Sequence, residues 1–456
     1  VITSPAFAGQ RYAVLGLARS GAAAAEALLA SGAEVIAWDR QDVARAPFEG
    51  RCRIIDPLEL DLTGFAGVIV SPGVPLNSHP IGPHVWHYGL PVIGDIELFA
   101  AARPSLPPHK VVGITGTNGK STTTALVHHI LVQAGVPAVM GGNIGDPILA
   151  QAPLPEGGVY VLELSSFQID LTFTLDCDIA ALTNITPDHL DRYAGFEAYA
   201  ASKERLFQMQ ASGTALICDE DVPSAAIADR IAGAGSPLVR VKSAELDAAG
   251  LAEGRSPSLA GPHNAQNAAV AVAICRQLGL ADEQIAAGLA SYRGLPHRME
   301  RVCEAKGVFY INDSKATNAA SAAPALAAFP PDPAINAGAP RIHWIVGGLP
   351  KDDGLGACGD HLGNVAAAYT VGEAGPMFAD LLEGRVQVER CELISEAVRR
   401  AEAAARPGDV VLLSPACASY DQFRDYEKRG LHFRQMVGAI TGCDTGDDTA
   451  SRSILP

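Results

Sequence analysis

No apolar run reaches 18 residues in this chain, and its first residues lack the basic segment and apolar stretch of a secretory leader. The first absence excludes a membrane-spanning helix, and together they predict a cytoplasmic protein with no membrane partner. The nine cysteines stand singly and form no C-x-x-C pair. Such thiols fit a reducing compartment and serve as small buried apolar groups. Positive charge is in short supply: 34 lysines and arginines face 50 aspartates and glutamates, a formal net charge of −16. That balance excludes a broad nucleic-acid-binding face but leaves room for a local basic pocket around an anionic ligand. A guanine-reading Asn-Lys-x-Asp motif, a fixed-period repeat and a low-complexity block are also missing.

What is present is a folded chain of 456 residues, 48% apolar and rich in alanine. That length accommodates about three domains with substantial cores. Strand and helix alternate from the start, with apolar strands at 11–16, 34–38 and 66–70 and a helical stretch at 18–30. This rhythm predicts parallel sheets in an α/β fold. A proline-rich stretch at 103–108 reads as the first boundary, and Gly294-Leu295-Pro296-His297-Arg298 as the second. The resulting segments are 1–108, 109–297 and 298–440, followed by a polar tail at 441–456. The middle segment is expected to hold strands at 159–164 and 178–183 and helices at 196–209 and 263–278. The third should hold strands at 308–312, 341–346, 366–371 and 409–413 and a helix at 393–405. The stretch bearing His79, His84 and His87 reads as a loop without metal.

The strongest chemical signal is Gly116-Thr117-Asn118-Gly119-Lys120-Ser121-Thr122, directly after the apolar run 110–115. Glycines let backbone N–H groups close on phosphate oxygens, a lysine reaches the β/γ oxygens, and a hydroxyl can ligate Mg²⁺. Ile114 stands where the strict phosphate-loop pattern has its first glycine, so the motif speaks for a nucleotide phosphate and not for a particular reaction. The turn Gly16-Leu17-Ala18-Arg19-Ser20-Gly21, with Asp39 after the next strand, suggests a nucleotide fold. Ala18 replaces the glycine a dinucleotide pyrophosphate needs, which disfavours a nicotinamide cofactor. Glu163 ends an apolar strand, and reads either as a magnesium ligand or as a capping acid. His189 lies in a polar loop that is either functional or filler. Lys203, judged locally, is a solvated surface lysine on a helix.

Together these segments resemble the Mur ligase family, ATP-dependent amide-forming enzymes of bacterial peptidoglycan precursor synthesis, and within it the D-glutamate-adding branch. The resemblance rests on Gly113 to Thr122, Gly141-Gly-Asn-Ile-Gly145, Leu162-Glu-Leu-Ser-Ser-Phe-Gln168, Asp188-His-Leu-Asp-Arg192, Gly261-Pro-His-Asn264, Leu295-Pro-His-Arg298, Asn312-Asp-Ser-Lys-Ala-Thr-Asn318 and Leu413-Ser-Pro-Ala-Cys-Ala-Ser419. It implies a Rossmann-like N-terminal domain over 1–108 for a UDP-sugar, a central mononucleotide-binding ATPase domain of P-loop type over 109–297, and a Rossmann-like C-terminal domain over 298–440. It further implies that ATP is held by Gly116, Thr117, Asn118, Gly119, Lys120, Ser121 and Thr122 with Asn264, Asn267, Arg298, Asp313 and Lys315. Lys120, His189 and Lys203 are then catalytic. Ser121, Glu163, His189 and Lys203, the last as a CO₂-derived carbamate, would serve two Mg²⁺ ions.

The UDP-sugar set would be Arg19, Ser20, Asp39, Arg40, Gly73, Asn143 and His189, and the D-glutamate set Thr317, Lys351, Ser419 and Tyr426. The implied partners are small molecules alone, a UDP-muramoyl-alanine acceptor and D-glutamate, joined by a monomer through an acyl phosphate. Neighbouring readings are another family member, a folylpolyglutamate synthetase and a nucleotide-gated ATPase. Two departures stand out: Tyr426 replaces an expected phenylalanine, and Gly347-Gly-Leu-Pro-Lys351 departs from the usual run before the lysine.

Overall fold

A computed structural model describes residues 1–189, 192–248, 251, 256–351 and 353–445. Leu190 and Asp191 of the polar loop, and most of the expected tail at 441–456, lie outside the described residues. The chain forms two compact units, one comprising 1–245 with 269–285 and the other 246–268 with 286–455.

The first unit holds two all-parallel sheets. Strands β1 (Arg11–Leu15), β2 (Glu34–Trp38), β3 (Arg53–Ile54), β4 (Gly67–Val70) and β5 (Val92–Ile93) lie in the order β3-β2-β1-β4-β5. Helix α1 (Arg19–Ala30) crosses from β1 to β2 and buries an alanine-rich face. Strands β6 (His109–Thr115), β7 (Ala138–Gly142), β8 (Gly158–Glu163), β9 (Ile179–Leu182), β10 (Thr214–Cys218) and β11 (Leu238–Val241) follow in the order β11-β10-β9-β6-β8-β7. All six residues of β8 are buried, as expected for a strand covered on both faces. One apolar core runs from Val14 and Leu28 through Phe99 to Leu162 and Leu182. The proline-rich stretch lies inside this unit, where Arg103–Ser105 forms a 3₁₀ turn and Ser105 Oγ donates to the Ala102 carbonyl at 2.7 Å.

The connections place two helices for the site: α2 (Lys120–Gln133) after β6, and α3 (Phe196–Gln208) between β9 and β10. In this sheet the chain steps from β6 out to the β7 edge, returns through β8, and crosses β6 to β9. Ligands gather outside the carboxyl ends of strands at such a reversal. The histidine-bearing segment differs from its expectation as a loop: Ile81–His87 is helical, and Ile81, Gly82 and Val85 are buried on one side.

The second unit carries a mixed sheet in the order β12-β13-β17-β14-β15-β16. Its strands are β12 (Glu300–Ala305), β13 (Val308–Asn312), β14 (Ile342–Gly347), β15 (Val365–Val371), β16 (Gln387–Glu392) and β17 (Val410–Leu413). The edge strand β12 is antiparallel to β13 and the remaining pairs are parallel. Trp344, Phe378, Leu326 and Leu412 pack in the core on one side. Tyr310, Tyr369, Val398 and Phe433 pack in the core on the other. The start of helix α4 (Pro262–Gln277), through residue 268, belongs to this unit and carries both asparagines of the expected ATP set, and α5 (Tyr426–Thr441) is the last described helix. Among the described residues no helix is long and apolar enough to cross a membrane.

Candidate active site

β6 runs straight into the glycine turn, and the turn's shape explains its sequence. Gly116 has φ 149°, and a Cβ there would lie 2.0 Å from Thr183 Oγ1. Gly119 has φ 82°, in the left-handed region, and caps α2 without a side chain. The β9 end holds the turn in place. Thr117 N donates to the Asn184 carbonyl at 2.8 Å and Asn118 N to Asn184 Oδ1 at 2.9 Å. Thr183 Oγ1 donates to the Asn118 carbonyl at 2.7 Å. The first amides of a 14-residue helix are thus left without a side-chain cap, a ready acceptor site for an anion. Lys120 Nζ folds over the turn, 3.0 Å from the Gly116 carbonyl and 2.8 Å from that of Thr117.

Lys203 overturns its local reading as a solvated lysine. It is 1% exposed on α3, because that face of the helix looks under the phosphate turn. Its Nζ donates to the Gly116 carbonyl at 2.8 Å and lies 4.5 Å from the centre of the Tyr199 ring. Burial, reinforced by the nearby Lys120 ammonium, pushes its pKa down to about 7, against the pull of Asp188, Asp170 and Glu163. Tyr199 itself bridges to the turn, with Oη 3.1 Å from Thr117 Oγ1.

Glu163 closes β8 and is 1% exposed. Its Oε1 accepts from Asn143 Nδ2 at 3.0 Å, whereas Oε2 is buried without a hydrogen-bond partner. An orphaned buried carboxylate oxygen is costly unless a cation or donor meets it. Ser121 at the start of α2 is half-buried. Among the described residues no cluster of three or more His, Cys, Asp or Glu could cage a metal alone. One carboxylate oxygen and a hydroxyl beside a phosphate turn fit Mg²⁺, which keeps waters and takes phosphate oxygens to complete its shell. The structure also joins two residues that sequence reasoning placed in separate sets: Asn143 N donates to the Glu163 carbonyl at 2.8 Å.

His189 has φ 51°, and its amide donates to Asp188 Oδ1 at 2.9 Å. Its ring sits 5.0 Å from that of Phe167, over which the Arg192 guanidinium lies at 4.2 Å. Arg192, Phe167, Tyr193, Asp170 and Pro72 line a cavity of about 70 Å³ beside it. In the first sheet, Gly21 touches the turn after β1 so closely that a Cβ would meet the Gly16 carbonyl oxygen at 1.8 Å. Asp39 is already engaged, its two oxygens accepting from the amides of Leu17 at 2.7 Å and Gln41 at 2.9 Å. Arg19 donates to the Gly145 carbonyl, which ties this turn to the loop carrying Asn143. Ser20 lies one residue inside α1, and Arg40 and Gly73 are exposed.

The second unit gathers the remaining candidates. On α4, Asn267 Nδ2 donates to Asn264 Oδ1 at 3.1 Å, and Asn264 Nδ2 to the carbonyls of Ser258 and Ala260. Asp313 follows β13; its oxygens accept from Met299 N at 3.2 Å and Ser414 Oγ at 2.8 Å. Burial raises its pKa to about 7. Half-buried Arg298 lies between His297 and Met299, both at positive φ. Lys315 Nζ sits 3.3 Å from Tyr426 Oη and 4.9 Å from the centre of its ring. Lys351 Nζ reaches Thr317 Oγ1 at 3.4 Å. Buried Ser419 heads a turn that accepts from Phe423 N at 2.8 Å.

Sequence reasoning missed the residues that hold these loops. Arg429 on α5 is 2% exposed and donates to Ser314 Oγ and to the carbonyls of Ser314, Ala418 and Cys417. One guanidinium thereby sets both the 314–317 and 417–419 loops. In the sequence it looks like any charge in a polar helix. Tyr199 was open to discovery, since it precedes Lys203 by four residues and so shares its helix face.

Two family models match the chain: Mur ligase middle domain over residues 114–275, and Mur ligase, glutamate ligase domain over residues 297–417. UDP-N-acetylmuramoylalanine–D-glutamate ligase of Novosphingobium aromaticivorans is 60% identical over 442 residues, 96% of this chain and 97% of that one. The enzyme of the same name from Sphingopyxis alaskensis is also 60% identical, covering 96% of this chain and 100% of its own. That of Zymomonas mobilis is 53% identical over 455 residues, 96% of this chain and 100% of its own. Among solved structures, a UDP-N-acetylmuramate-alanine ligase from Thermotoga maritima shares the fold at TM-score 0.54 and 17% identity, over 94% of this chain and 99% of that one. A UDP-N-acetylmuramoyl-L-alanyl-D-glutamate–2,6-diaminopimelate ligase does so at 0.55 and 18%, over 94% and 93%.

Proposed function

Because this chain belongs to the Mur ligase family, we propose that it is an ATP-dependent ligase that adds D-glutamate to UDP-N-acetylmuramoyl-L-alanine, a step of peptidoglycan precursor synthesis. The observation that carries the reading is the buried Lys203 amine, 2.8 Å from the Gly116 carbonyl beneath a turn shaped for phosphate. In this reading residues 1–108, 109–297 and 298–440 serve the UDP-sugar, ATP and the incoming amino acid respectively.

A carboxylate is a poor electrophile, so the acid must be activated before an amine can attack it. The acceptor's carboxylate oxygen attacks the γ-phosphorus of ATP, the bond to the β–γ bridging oxygen breaks, and ADP departs. The D-glutamate amine then adds to the acyl-phosphate carbonyl, and the adduct loses phosphate and a proton to leave the amide. Two anions meet in the first step, so positioned positive charge and in-line geometry dominate catalysis. Lys120 and the uncapped start of α2 offset the phosphate charge. Glu163 Oε2 and Ser121 Oγ would hold Mg²⁺, with His189 and a carbamylated Lys203 at a second ion. A bound Mg²⁺ would supply neutralisation of the phosphate charge.

Lys203 is suited to carbamylation because CO₂ adds to a neutral amine, with loss of one proton, and burial biases the amine toward that form. The product is an anion with two oxygen donors where an ammonium would repel the metal. Arg19, Ser20, Asp39, Arg40, Gly73 and Asn143 are assigned to the UDP-sugar. Asn264, Asn267, Arg298, Asp313 and Lys315 are assigned to ATP, and Thr317, Lys351, Ser419 and Tyr426 to D-glutamate. The Tyr426 hydroxyl beside Lys315 Nζ links the last two sets.

The test is ADP formation from ATP, Mg²⁺ and UDP-N-acetylmuramoyl-L-alanine with D-glutamate, L-glutamate, L-alanine or a diamino acid. Turnover should require D-glutamate. ADP formation without any amino acid would favour a nucleotide-gated ATPase, and preference for another amino acid a different family member. Lys203→Ala should be nearly inactive and regain part of its turnover with a short carboxylic acid; full turnover without one would refute the role of Lys203.

A further inference from the structure

Six of the nine cysteines are buried, which leaves Cys52, Cys303 and Cys443 within reach of solvent reagents. Two of these three meet in the second unit. Cys303 lies on the edge strand β12, where its register with β13 shifts. Cys443 follows Gly442, whose φ of 72° ends α5. Thr441 fixes their approach: its Oγ1 is 3.9 Å from Cys303 Sγ and accepts from Cys443 N at 3.2 Å. Cys443 Sγ lies 3.5 Å from the carbonyl of Glu304, the residue next to Cys303. Thr441 and Glu304 thus bring the two thiols to the same end of α5, close enough for Cys443 to raise the Cys303 pKa. Cys52, in the other unit, has the Phe48 carbonyl at 3.8 Å as its contact.

We propose that Cys303 and Cys443 form a reversible disulfide when the chain meets a low-molecular-weight disulfide, so that the end of α5 becomes covalently tied to the edge strand of its sheet. Burial and the neighbouring thiol hold the Cys303 pKa well above the usual thiol range, which disfavours Cys303 as the first nucleophile; the exposed contact of Cys443 makes it the entry point. The Cys443 thiolate attacks one sulfur of the oxidant, whose S–S bond breaks and releases one thiolate that takes up a proton. A mixed disulfide forms on Cys443. Cys303 then loses its proton and attacks the Cys443 sulfur, expelling the second thiol. Two protein thiols are oxidised and one small disulfide is reduced to two thiols.

The bond would close a loop of roughly 140 residues, which constrains the unfolded chain strongly. It leaves the proposed catalytic residues chemically untouched, so the device acts on the durability of the second unit rather than on bond making.

The experiment uses the full-length chain incubated with oxidised glutathione, followed by thiol titration of the native protein, peptide mapping without reductant, and thermal melting. Accessible thiols should fall from three to one, a peptide pair joining Cys303 to Cys443 should appear, and the melting temperature should rise by roughly 5 °C. Dithiothreitol should reverse all three. Cys443→Ser should lose both the cross-link and the oxidation-dependent rise. A glutathione adduct that persists on Cys443 without a cross-link would overturn the proposal, as would a cross-link to another cysteine or an unchanged thiol count.

Discussion

Replacing Lys203 by methionine should abolish turnover and stabilise the protein. The side chain is 1% exposed, and its pKa falls from 10.5 to about 7 on folding, chiefly through burial and then through Lys120. Below pH 7 the amine is charged in both folded and unfolded chains, and the folded state bears the full cost of burying that charge. Between pH 7 and 10.5 the unfolded chain binds a proton that the folded chain does not, so wild-type stability rises with pH. The drop from 10.5 to about 7 corresponds to roughly 5 kcal/mol at most. Methionine has similar length and no charge, and the Gly116 carbonyl keeps Lys120 Nζ as a donor at 3.0 Å. Urea unfolding of Lys203→Met and wild type in CO₂-free buffer should therefore show the variant ahead by a few kcal/mol at pH 6. The gap should shrink steadily toward pH 10. A variant less stable than wild type at pH 6, or a gap independent of pH, would refute the assignment of Lys203 as a buried amine under strain.

Three further outcomes follow from the geometry. Lys120→Ala should lower kcat/KM about a hundredfold or more, the worth of one preorganised donor in a dry site of about 3 kcal/mol, measured by ADP release; a change under fivefold would remove Lys120 from the phosphate set. Lys351→Ala should raise the KM for D-glutamate more than that for ATP, and equal effects would count against its place in the amino-acid pocket. Gly21→Ala would force a methyl to within 1.8 Å of the Gly16 carbonyl oxygen, so its melting temperature should drop by several degrees and UDP-sugar affinity should fall, as read by calorimetry; wild-type values would show that the turn after β1 relaxes freely.

The elements most legible in the sequence are those with one physical cause. Expected strands at 34–38 and 308–312 coincide with β2 and β13 to the residue, because apolar runs bounded by turn residues leave little choice of register. Strands β12 and β16 escaped notice: Gln387–Glu392 is largely polar and half-exposed at a sheet edge, so neither alternation nor apolar content marks it. Ala138–Gly142 escaped as well: it is short and ends in two glycines, which carry no apolar strand signal. The phosphate turn was legible because Gly116 and Gly119 occupy backbone conformations that other residues resist. Lys203 and Arg429 were not, since burial of a cation depends on what a distant loop lays over it. The pairing of Asn143 with Glu163 was hidden for the same reason: 20 residues separate them.

That pairing makes the proposed sugar and metal subsites share an atom's worth of geometry. Under the proposed assignments, a ligand that draws the Asn143 amide away would release Glu163 Oε1, and affinity for acceptor and affinity for Mg²⁺ would then be thermodynamically linked and change by the same factor in both directions. An Asn143 variant would consequently register as a metal defect in one titration and as a substrate defect in another, with a single side-chain amide behind both.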